Sequence, residues 1–348
     1  MATNSEAAKQ ELLRDLLKQV SRLFYTTLVV VPVDVRDQVS LGYLFARAAD
    51  TIVDTELIDR SRRLDLLGQL KAQFVSDQIA WTQVQEIQQA VGPAQQNPSE
   101  RILLERLEDC FRLLQVFSPD DRRRIQRLMT TLTQGMEMDL AVFPGTTAAE
   151  LTGLKTLEDL DRYTYYVAGC VGEFWTDLMC AHRKALAHWK VREMSEAGVR
   201  FGKGLQLTNI VKDLAQDLHN GRCYVPEPLL AEVGLTAEDL LDQRNRARLQ
   251  PVLRKLVRMA VEHLDQGWLY TMSFPRGEVR LRLSCMWPIL SAGESLKLVM
   301  NSPDLLNPAV KVKIPRSKVY QIMALTTFTG ACGHVGTAYW GHLRKQII

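Results

Sequence analysis

The chain has 348 residues, of which 46% are hydrophobic, so it can bury a large core in one large domain or in two of ordinary size. Lys and Arg total 43 against 40 Asp and Glu, a formal charge of +3. This balance gives no basis for a nucleic-acid-binding function or for a strongly steered acidic partner.

The amino-terminal segment, MATNSEAAKQELLRD, has neither the basic region nor the apolar region of a secretory signal. No stretch approaches the roughly 18 uninterrupted apolar residues of a spanning helix. Six scattered cysteines form no C-x-x-C pair and are interpreted as reduced core thiols. We expect a soluble, cytoplasmic chain, with peripheral contact to a membrane left open and the oligomeric state not predicted.

Apolar residues recur at steps of three and four almost everywhere, whereas period-two alternation is scarce. The pattern predicts an all-α protein. Loops are predicted at QVQEIQQAVGPAQQNPSE, FPGTTAAELTG and HNGRCYVPEP. None is typical of an interdomain linker, so a single helical domain over residues 1–348 is predicted.

The segment SLGYLFARAADTIVDTE places polar residues at helical steps of three and four: Tyr43, Arg47, Asp50 and Asp54. Apolar residues fill the rest of that helix, which predicts a buried helix whose polar stripe faces a water-filled cavity. Aspartates four residues apart repel each other unless a cation lies near them. Mg²⁺ is such a cation, since it favours one or two carboxylates together with water and phosphate oxygens.

A second stripe lies in FGKGLQLTNIVKDLAQDLHNGR, and its members are Gln206, Asn209, Asp213 and Asp217. One D-x-x-x-D pair is a weak signal that usually marks a solvated helix face. Two matched pairs on otherwise apolar helices favour a shared metal site. Arg22, Arg47, Lys212 and Arg222 lie near the pairs and suit a diphosphate.

Between the two stripes lies DRYTYYVAGCVGEFW. Its small residues allow a backbone or a ligand to approach closely, so core packing and a hydrocarbon site are equally good interpretations. Tyr163 is either a buried, satisfied hydroxyl or a proton-transfer group.

With these motifs in this order, the chain resembles the squalene and phytoene synthase family from about Ser21 to Lys318. YLFARAADTIVD, LTNIVKDLAQD and GRCYVP are more similar to squalene synthases than to phytoene synthases. The resemblance implies one isoprenoid-synthase helical bundle around a central cavity, with the aspartate pairs facing each other across its mouth. The chain differs from squalene synthases at Val53, where they often carry a further acidic residue, and we expect it to lack the carboxyl-terminal anchor of the eukaryotic enzymes.

The resemblance implies a role for each matching position. Asp50, Asp54, Asp213 and Asp217 would hold magnesium. Diphosphate would be bound by Ser21, Arg22, Arg47, Lys212 and Arg222, and the cavity lined by Phe24, Tyr43, Gln206 and Asn209. Tyr163 matches an acid/base residue. Lys311 and Lys313, in NPAVKVKIPRSKV, match the stretch used for the NADPH phosphate, with Arg316 and Lys318 adding to it, although there is no G-x-G-x-x-G fingerprint. Without the resemblance, such a charge run more often marks a solvated face.

The implied reaction joins two farnesyl diphosphates head to head through presqualene diphosphate, and NADPH then reduces the product to squalene. The rivals are a presqualene diphosphate, dehydrosqualene, hydroxysqualene or phytoene synthase that lacks the reductive step. A remote rival is a non-catalytic assembly or lipid-surface protein of the same fold.

Overall fold

The computed structural model describes residues 9–21, 24–55, 57–329 and 333–348. Helices account for 78% of the chain, which confirms the all-α prediction. The α-helices of the first half are α1 (Leu17–Ser21), α2 (Phe24–Val30), α3 (Val33–Asp54), α4 (Arg60–Val75), α5 (Trp81–Val91), α6 (Pro98–Glu105), α7 (Leu107–Val116) and α8 (Pro119–Val142). Those that follow are α9 (Leu157–Thr164), α10 (Cys170–His182), α11 (Val191–Lys212), α12 (Leu214–His219), α13 (Glu227–Ala231), α14 (Arg246–Ser273), α15 (Val279–Asn301), α16 (Arg316–Phe328) and α17 (Gly333–Ile347).

Shorter elements connect these helices. π-Helical turns occupy Glu11–Leu16 and Tyr165–Gly169, and 3₁₀ turns occupy Ala148–Glu150, Lys184–Leu186, Glu238–Leu241 and Gln243–Asn245. Strands β1 (Thr152–Gly153) and β2 (Arg222–Cys223) pair in parallel, with Thr152 opposite Arg222. In the described part of the chain, no helix combines the length and the apolar character needed to cross a bilayer.

The chain divides into two compact units. The first runs to Leu140 and includes Asp177–His182, and the second comprises Ala141–Thr176 and Arg183–Ile348. The single domain over residues 1–348 that the sequence predicts remains a prediction.

The first unit packs its helices around an aromatic cluster. The rings of Phe45, Phe74 and Phe111, from α3, α4 and α7, have centroids 4.8 to 5.3 Å apart. All three rings are buried, and such edge-on and tilted contacts are the arrangement that aromatic quadrupoles favour. The cluster fixes one side of α3, the helix that carries the first aspartate pair.

In the second unit, helices approach each other at glycines. A Cβ at Gly172 would lie 2.0 Å from the carbonyl oxygen of Gly198, and one at Gly202 would lie 2.2 Å from that of Ala168. Only glycine permits this backbone contact between α11 and the Tyr165–Gly169 and α10 segments. The small residues around Tyr163 therefore serve helix packing, one of the two interpretations that the sequence left open.

The Gln-rich segment is a correction to the predicted loops. Trp81–Val91 and Pro98–Glu105 are helices, and the connection between them is short. Glutamine is a good helix former, and Val84, Ile87 and Val91 follow the helical spacing and are buried. The signals Gly-Pro and Asn-Pro mark the true connection, where Asn97 caps α6 by accepting from the Ser99 amide.

The described cysteines carry no disulfide. Cys110, Cys170, Cys223 and Cys285 are buried, and Cys180 is half-buried. Loss of solvent raises the pKa of each buried thiol to about 12. These groups therefore stay protonated and act as small core side chains. Cys332 lies outside the described residues.

Candidate active site

The first aspartate pair lies on the open stripe of a buried helix. Most of the circumference of α3 is enclosed, as the exposures of Leu44, Ala48 and Ile52 show. Tyr43, Arg47 and Asp50 are half-buried and Asp54 is exposed. The polar stripe predicted from the sequence is therefore present in the first unit.

Asp50 lies in a strongly acidic environment. Loss of solvent raises the pKa of its carboxyl to about 7, and repulsion from Asp54, Glu100 and Asp139 adds to this rise, whereas Arg47 opposes it. Although protein surrounds the group, 45% of its side chain is still reached by solvent. Two accessible carboxylates that repel each other are a donor set suited to a divalent cation, which would relieve the repulsion.

Within the described residues, no three His, Cys, Asp or Glu side chains converge to hold a metal by themselves. A pair of carboxylates fits Mg²⁺ rather than a structural zinc centre, because Mg²⁺ usually keeps several waters and takes phosphate oxygens as ligands. The two carboxylates of α3 therefore fit the predicted Mg²⁺ ion, which would take its remaining ligands from water and phosphate.

Glu100 holds the cation of this stripe. The Nη2 group of Arg47 donates to Oε1 of Glu100, and Nη1 of Arg47 lies 3.7 Å from Oδ2 of Asp50. Asn97 donates to the same Glu100 oxygen at 3.0 Å, which fixes the carboxylate at the start of α6. Loss of solvent opposes the charge of Arg47, but Glu100 outweighs it and raises the pKa of the guanidinium. Arg47 is therefore a fixed and permanently charged group beside the aspartates.

The carboxyl end of α3 is also braced. The buried Arg63 donates from Nη1 to the carbonyl of Val53 at 2.6 Å. Gln95, from the connection before α6, donates to Oγ1 of Thr55 at 3.2 Å. The Arg63 guanidinium satisfies a carbonyl at the end of the helix, and the Gln95 amide adds a second contact to the Thr55 hydroxyl, which also donates to the carbonyl of Thr51. These contacts fix the turn that carries Asp54.

Three predicted ligands lie just before α3. Ser21 is buried, and its hydroxyl donates to the carbonyl of Leu17 at 2.5 Å. Arg22 and the side chain of Phe24 lie outside the described residues, although the backbone of Phe24 begins α2. The roles of these residues remain predictions.

The second aspartate pair straddles a helix break. Helix α11 ends at Lys212 and α12 begins at Leu214, with Asp213 between them at φ −97° and ψ 8°. Backbone bonds from Asp213 to Asn209 and from Asp217 to Asp213 still follow helical spacing, so the stripe keeps one side. The sequence predicts one helical stripe through these positions, and the break at Asp213 is a local departure from that prediction.

Lys212 ties part of this stripe together. Its Nζ lies 3.0 Å from Oδ2 of Asp213 and donates to Oδ1 of Asn209 at 3.2 Å. Asn209 and Asp213 are exposed, whereas Gln206, Lys212 and Asp217 are half-buried. The polar groups thus collect on one side while Leu207, Ile210 and Leu214 are buried.

Arg222 lies in strand β2, directly after a tight turn at Gly221. Gly221 adopts φ +79°, a left-handed conformation, and a Cβ there would lie 3.0 Å from the carbonyl oxygen of Thr147. The Thr152 amide donates to the carbonyl of Gly221, and the Leu154 amide donates to that of Cys223. This small parallel pairing fixes the half-buried Arg222.

Tyr163 stacks on a second tyrosine. The rings of Tyr163 and Tyr224 have centroids 4.6 Å apart, and their planes differ by 24°. The centroid of the Phe143 ring lies 4.9 Å from that of Tyr224. Both tyrosines are buried. Thr156 starts the helix of Tyr163 with a capping box to Asp159, and the π-turn Tyr165–Gly169 follows it. Tyr163 is therefore rigidly placed next to the segment that bears Arg222.

The basic stretch is irregular and open. Lys311 and Lys313 lie in an irregular connection before α16, and both are exposed, as is Arg316 at the start of that helix. Lys318 differs, since its Nζ lies 3.0 Å from Oε1 of the buried Glu294, which also accepts from the Tyr339 hydroxyl at 2.6 Å. Lys318 thus fixes the start of α16, and the other three cations are open to an anion.

Sequence reasoning missed two carboxylates of the first unit and one tyrosine of the second. Glu100 and Asp139 are buried carboxylates beside α3, and the only sequence signal for Glu100 is its place in a helix start after Asn97 and Pro98. Tyr224 lies in the GRCYVP motif, from which the sequence predicts no role for this residue. Contacts between distant segments decide all three, and residue spacing does not report such contacts.

Several known proteins are similar to this chain. It is 25% identical over 334 residues to the squalene synthase of Eremothecium gossypii, covering 95% of this chain and 71% of that protein. It is 26% identical to squalene synthase ERG9 of Saccharomyces cerevisiae, over 96% of this chain and 70% of that protein. A 15-cis-phytoene synthase of Enterobacter agglomerans is 37% identical, but over 40% of this chain and 43% of that protein.

Solved structures support the same fold. A squalene synthase structure, TcSQS with the ligand E5700, has a TM-score of 0.72 at 21% identity and covers 98% of this chain and 97% of that one. A dehydrosqualene synthase in complex with a ligand has a TM-score of 0.62 at 18% identity, over 93% of this chain and 97% of that one. The helical fold is thus that of the isoprenoid synthases, as the resemblance implied.

The model of the squalene/phytoene synthase family matches residues 17–318. That range contains both aspartate pairs, Tyr163 and the basic stretch. The chain therefore belongs to the squalene/phytoene synthase family of prenyltransferases.

Proposed function

We propose that the chain is a squalene synthase that joins two farnesyl diphosphates head to head and then reduces the product with NADPH. The observation that supports this most directly is the Asp50 and Asp54 pair on the open stripe of α3. The two carboxylates repel each other, and a bound divalent cation would relieve that repulsion. The squalene synthases that match over 95% and 96% of this chain support the substrate class.

Asp50, Asp54, Asp213 and Asp217 are the proposed magnesium ligands. Bound magnesium would neutralise charge on the leaving diphosphate, the kind of electrostatic help that contributes most to such reactions. Ser21, Arg22, Arg47, Lys212 and Arg222 are the proposed diphosphate ligands. Arg47 is best prepared for this role, since Glu100 fixes it and keeps it charged. Phe24, Tyr43, Gln206 and Asn209 are proposed to line the cavity.

Tyr163 is the proposed acid/base residue of the first half-reaction. Loss of the first diphosphate leaves an allylic cation, the double bond of the second chain attacks it, and loss of a proton closes the cyclopropane of presqualene diphosphate. Tyr163 is buried and stacked on Tyr224, which suits proton transfer at a fixed atom away from water.

Lys311, Lys313 and Arg316 are proposed to bind the phosphate of NADPH. Three exposed cations within six residues suit a dianionic group, and the chain has no Rossmann fingerprint to hold the nucleotide in another way. The bound cofactor would supply the hydride that ends the second half-reaction, so NADPH and a proton are consumed and a second diphosphate is released.

Product analysis tests this proposal. The purified chain is incubated with farnesyl diphosphate and Mg²⁺, with and without NADPH, and the extract is identified by mass spectrometry. We expect squalene only with NADPH. Presqualene diphosphate or an unreduced or hydroxylated thirty-carbon product in the presence of NADPH would overturn the reductive half and leave the condensation standing.

Variants separate the two halves. Asp50→Asn and Asp213→Asn should each abolish turnover without loss of helicity by circular dichroism, whereas Asp65→Asn, in an exposed pair with Arg62, should be active. Lys311→Ala with Lys313→Ala should reduce NADPH use more than formation of presqualene diphosphate. Activity retained in both aspartate variants would contradict the metal assignment.

The second candidate is a head-to-head synthase without reduction, such as a phytoene synthase. The 37% identity to a 15-cis-phytoene synthase over 141 residues favours it. Incubation with geranylgeranyl diphosphate in place of farnesyl diphosphate distinguishes the two, since a phytoene synthase prefers the longer chain. Equal rates with both substrates would favour neither chain length.

A further inference from the structure

The outer face of helix α16 (Arg316–Phe328) is unusually apolar for a solvent-facing helix. Tyr320, Ala324 and Phe328 recur every four residues and lie on one side, next to Leu325. Tyr320 is 54% exposed, Leu325 43% and Phe328 91%. A nearly bare Phe beside other exposed apolar side chains marks an interaction surface rather than scattered exposure.

The opposite face fixes this helix to the second unit. Ile322 and Thr326 are buried, and Nε1 of Trp287 in α15 donates to Oγ1 of Thr326 at 2.9 Å. Lys318 adds its ion pair to Glu294 of the same helix α15. These contacts with α15 fix the orientation of α16. The side chains of Tyr320, Leu325 and Phe328 therefore face solvent and not the core.

The segment that contains this helix carries charge of one sign. Residues 305–348 contain six Lys and Arg and no Asp or Glu, whereas the first 304 residues carry 37 Lys and Arg against 40 Asp and Glu. Lys311, Lys313 and Arg316 lie at the start of α16 and form no ion pair with any residue that the structure describes. Lys318 and Arg344 do form ion pairs. The apolar face thus has unpaired cations at one end.

We propose that this face of α16 binds the surface of an anionic lipid bilayer. Aromatic and aliphatic side chains that enter the acyl boundary, next to cations that meet acidic headgroups, are the pattern of a helix lying in the membrane interface. Each cation near such a surface contributes about fivefold in affinity, equal to ~1 kcal/mol. An acidic protein partner would need hydrogen-bond donors and acceptors on the face, and Gln321 is its only amide.

Lys311, Lys313 and Arg316 are also the residues proposed for the cofactor phosphate, so they are poor probes of this inference. Phe328 and Tyr320 have no part in the proposed chemistry. Changes at these two positions therefore test membrane binding separately from catalysis, and failure of one proposal leaves the other standing.

The test is sedimentation of the full chain with phosphatidylcholine vesicles that contain or lack phosphatidylserine. We expect at least tenfold tighter binding to the anionic vesicles, lost as salt screens the cations. Phe328→Ser should weaken binding about tenfold or more, by the transfer free energy of a Phe side chain. Tyr320→Ser should weaken it in the same direction.

The matched control is Val116→Ser in α7, which replaces a 78% exposed apolar side chain of the first unit and should bind as the unchanged chain does. Turnover in solution should be unchanged in the Phe328→Ser protein. The proposal is overturned if the unchanged chain ignores both vesicle types, or if Phe328→Ser binds equally well. A concentration-dependent dimer that Phe328→Ser abolishes would also overturn it, because the face would then join two copies of this chain.

Discussion

Arg47 is shared between two carboxylates of the first unit: its Nη2 donates to Glu100 and its Nη1 lies 3.7 Å from Asp50. Glu100 is buried and also accepts from Asn97. The guanidinium is thus anchored on one side by a residue with no place in the aspartate motif. Its other side remains directed at the carboxylate that we propose as a metal ligand.

Glu100→Gln should lower kcat/KM for farnesyl diphosphate by about 10- to 100-fold, the usual effect of losing a group that orients a ligand residue. The amide keeps the shape but removes the charge that fixes Arg47. Steady-state kinetics and circular dichroism measure the two consequences separately. Glu86→Gln is the control, because Glu86 pairs with the exposed Arg62. Equal activity of both variants would show that Glu100 does not position Arg47.

The stripe of α3 could be predicted from the sequence because helix periodicity fixes which side chains share a face. The residues that support it could not. Glu100 follows Asp50 by fifty positions, and only the packing of α6 against α3 brings them together. The loop prediction for the Gln-rich segment was wrong for a related reason. Its composition is typical of a loop, but its buried Val84 and Ile87 follow the helical period.

Tyr163→Phe should remove turnover while changing the free energy of unfolding by less than ~1 kcal/mol, because the phenyl ring can keep the stack on Tyr224. Tyr163→Leu should remove turnover and also lower the free energy of unfolding by about 1 kcal/mol or more, because it removes the aromatic pair with Tyr224. Product assays and urea unfolding distinguish the hydroxyl from the ring. A fully active Tyr163→Phe enzyme would rule out the acid/base role.

Gly172→Ala should destabilise the second unit by about 2 to 3 kcal/mol, because its Cβ would lie 2.0 Å from the backbone oxygen of Gly198 and neither backbone can yield easily. Gly68→Ala is the matched helix-interior control. Its Cβ would meet nothing within 4 Å, so it should be neutral or stabilising by up to ~1 kcal/mol. Thermal and urea unfolding of the two variants measure the difference, and similar stabilities would contradict the close packing of α11.

His263 should make stability depend on pH. The pKa of its imidazole is lowered to about 4, mainly by burial and also by the positive charges of Arg200 and Lys203. Nδ1 of His263 accepts from Nε of Arg200 at 3.4 Å, which requires the neutral ring. Since the folded pKa lies below the unfolded value of about 6.5, the stabilisation is complete above pH 6.5 and is lost as the pH falls toward 4.

His263→Gln should therefore flatten the fall of unfolding free energy between pH 6.5 and 4 by roughly 1 to 2 kcal/mol, a figure reduced for the partial exposure of the ring. His188→Gln, at an exposed position, is the control and should follow the unchanged chain. Urea unfolding at several pH values gives the curves. Parallel curves for all three proteins would exclude a buried neutral imidazole.

Binding of Mg²⁺ to the metal-free chain should weaken below pH 7. Because the pKa of Asp50 is raised to about 7, its carboxyl carries a proton at lower pH that the metal must displace. The apparent affinity should then fall by up to about tenfold per pH unit below 7 and level off above it. Asp54→Asn removes the repulsion that helps to raise this pKa, so the break in the curve should move to lower pH even as the affinity drops. Calorimetric titrations at several pH values measure both effects, with Asp65→Asn as the control that should leave the curve unchanged. A break that stays in place in Asp54→Asn would mean that repulsion from Asp54 does not contribute to the raised pKa of Asp50.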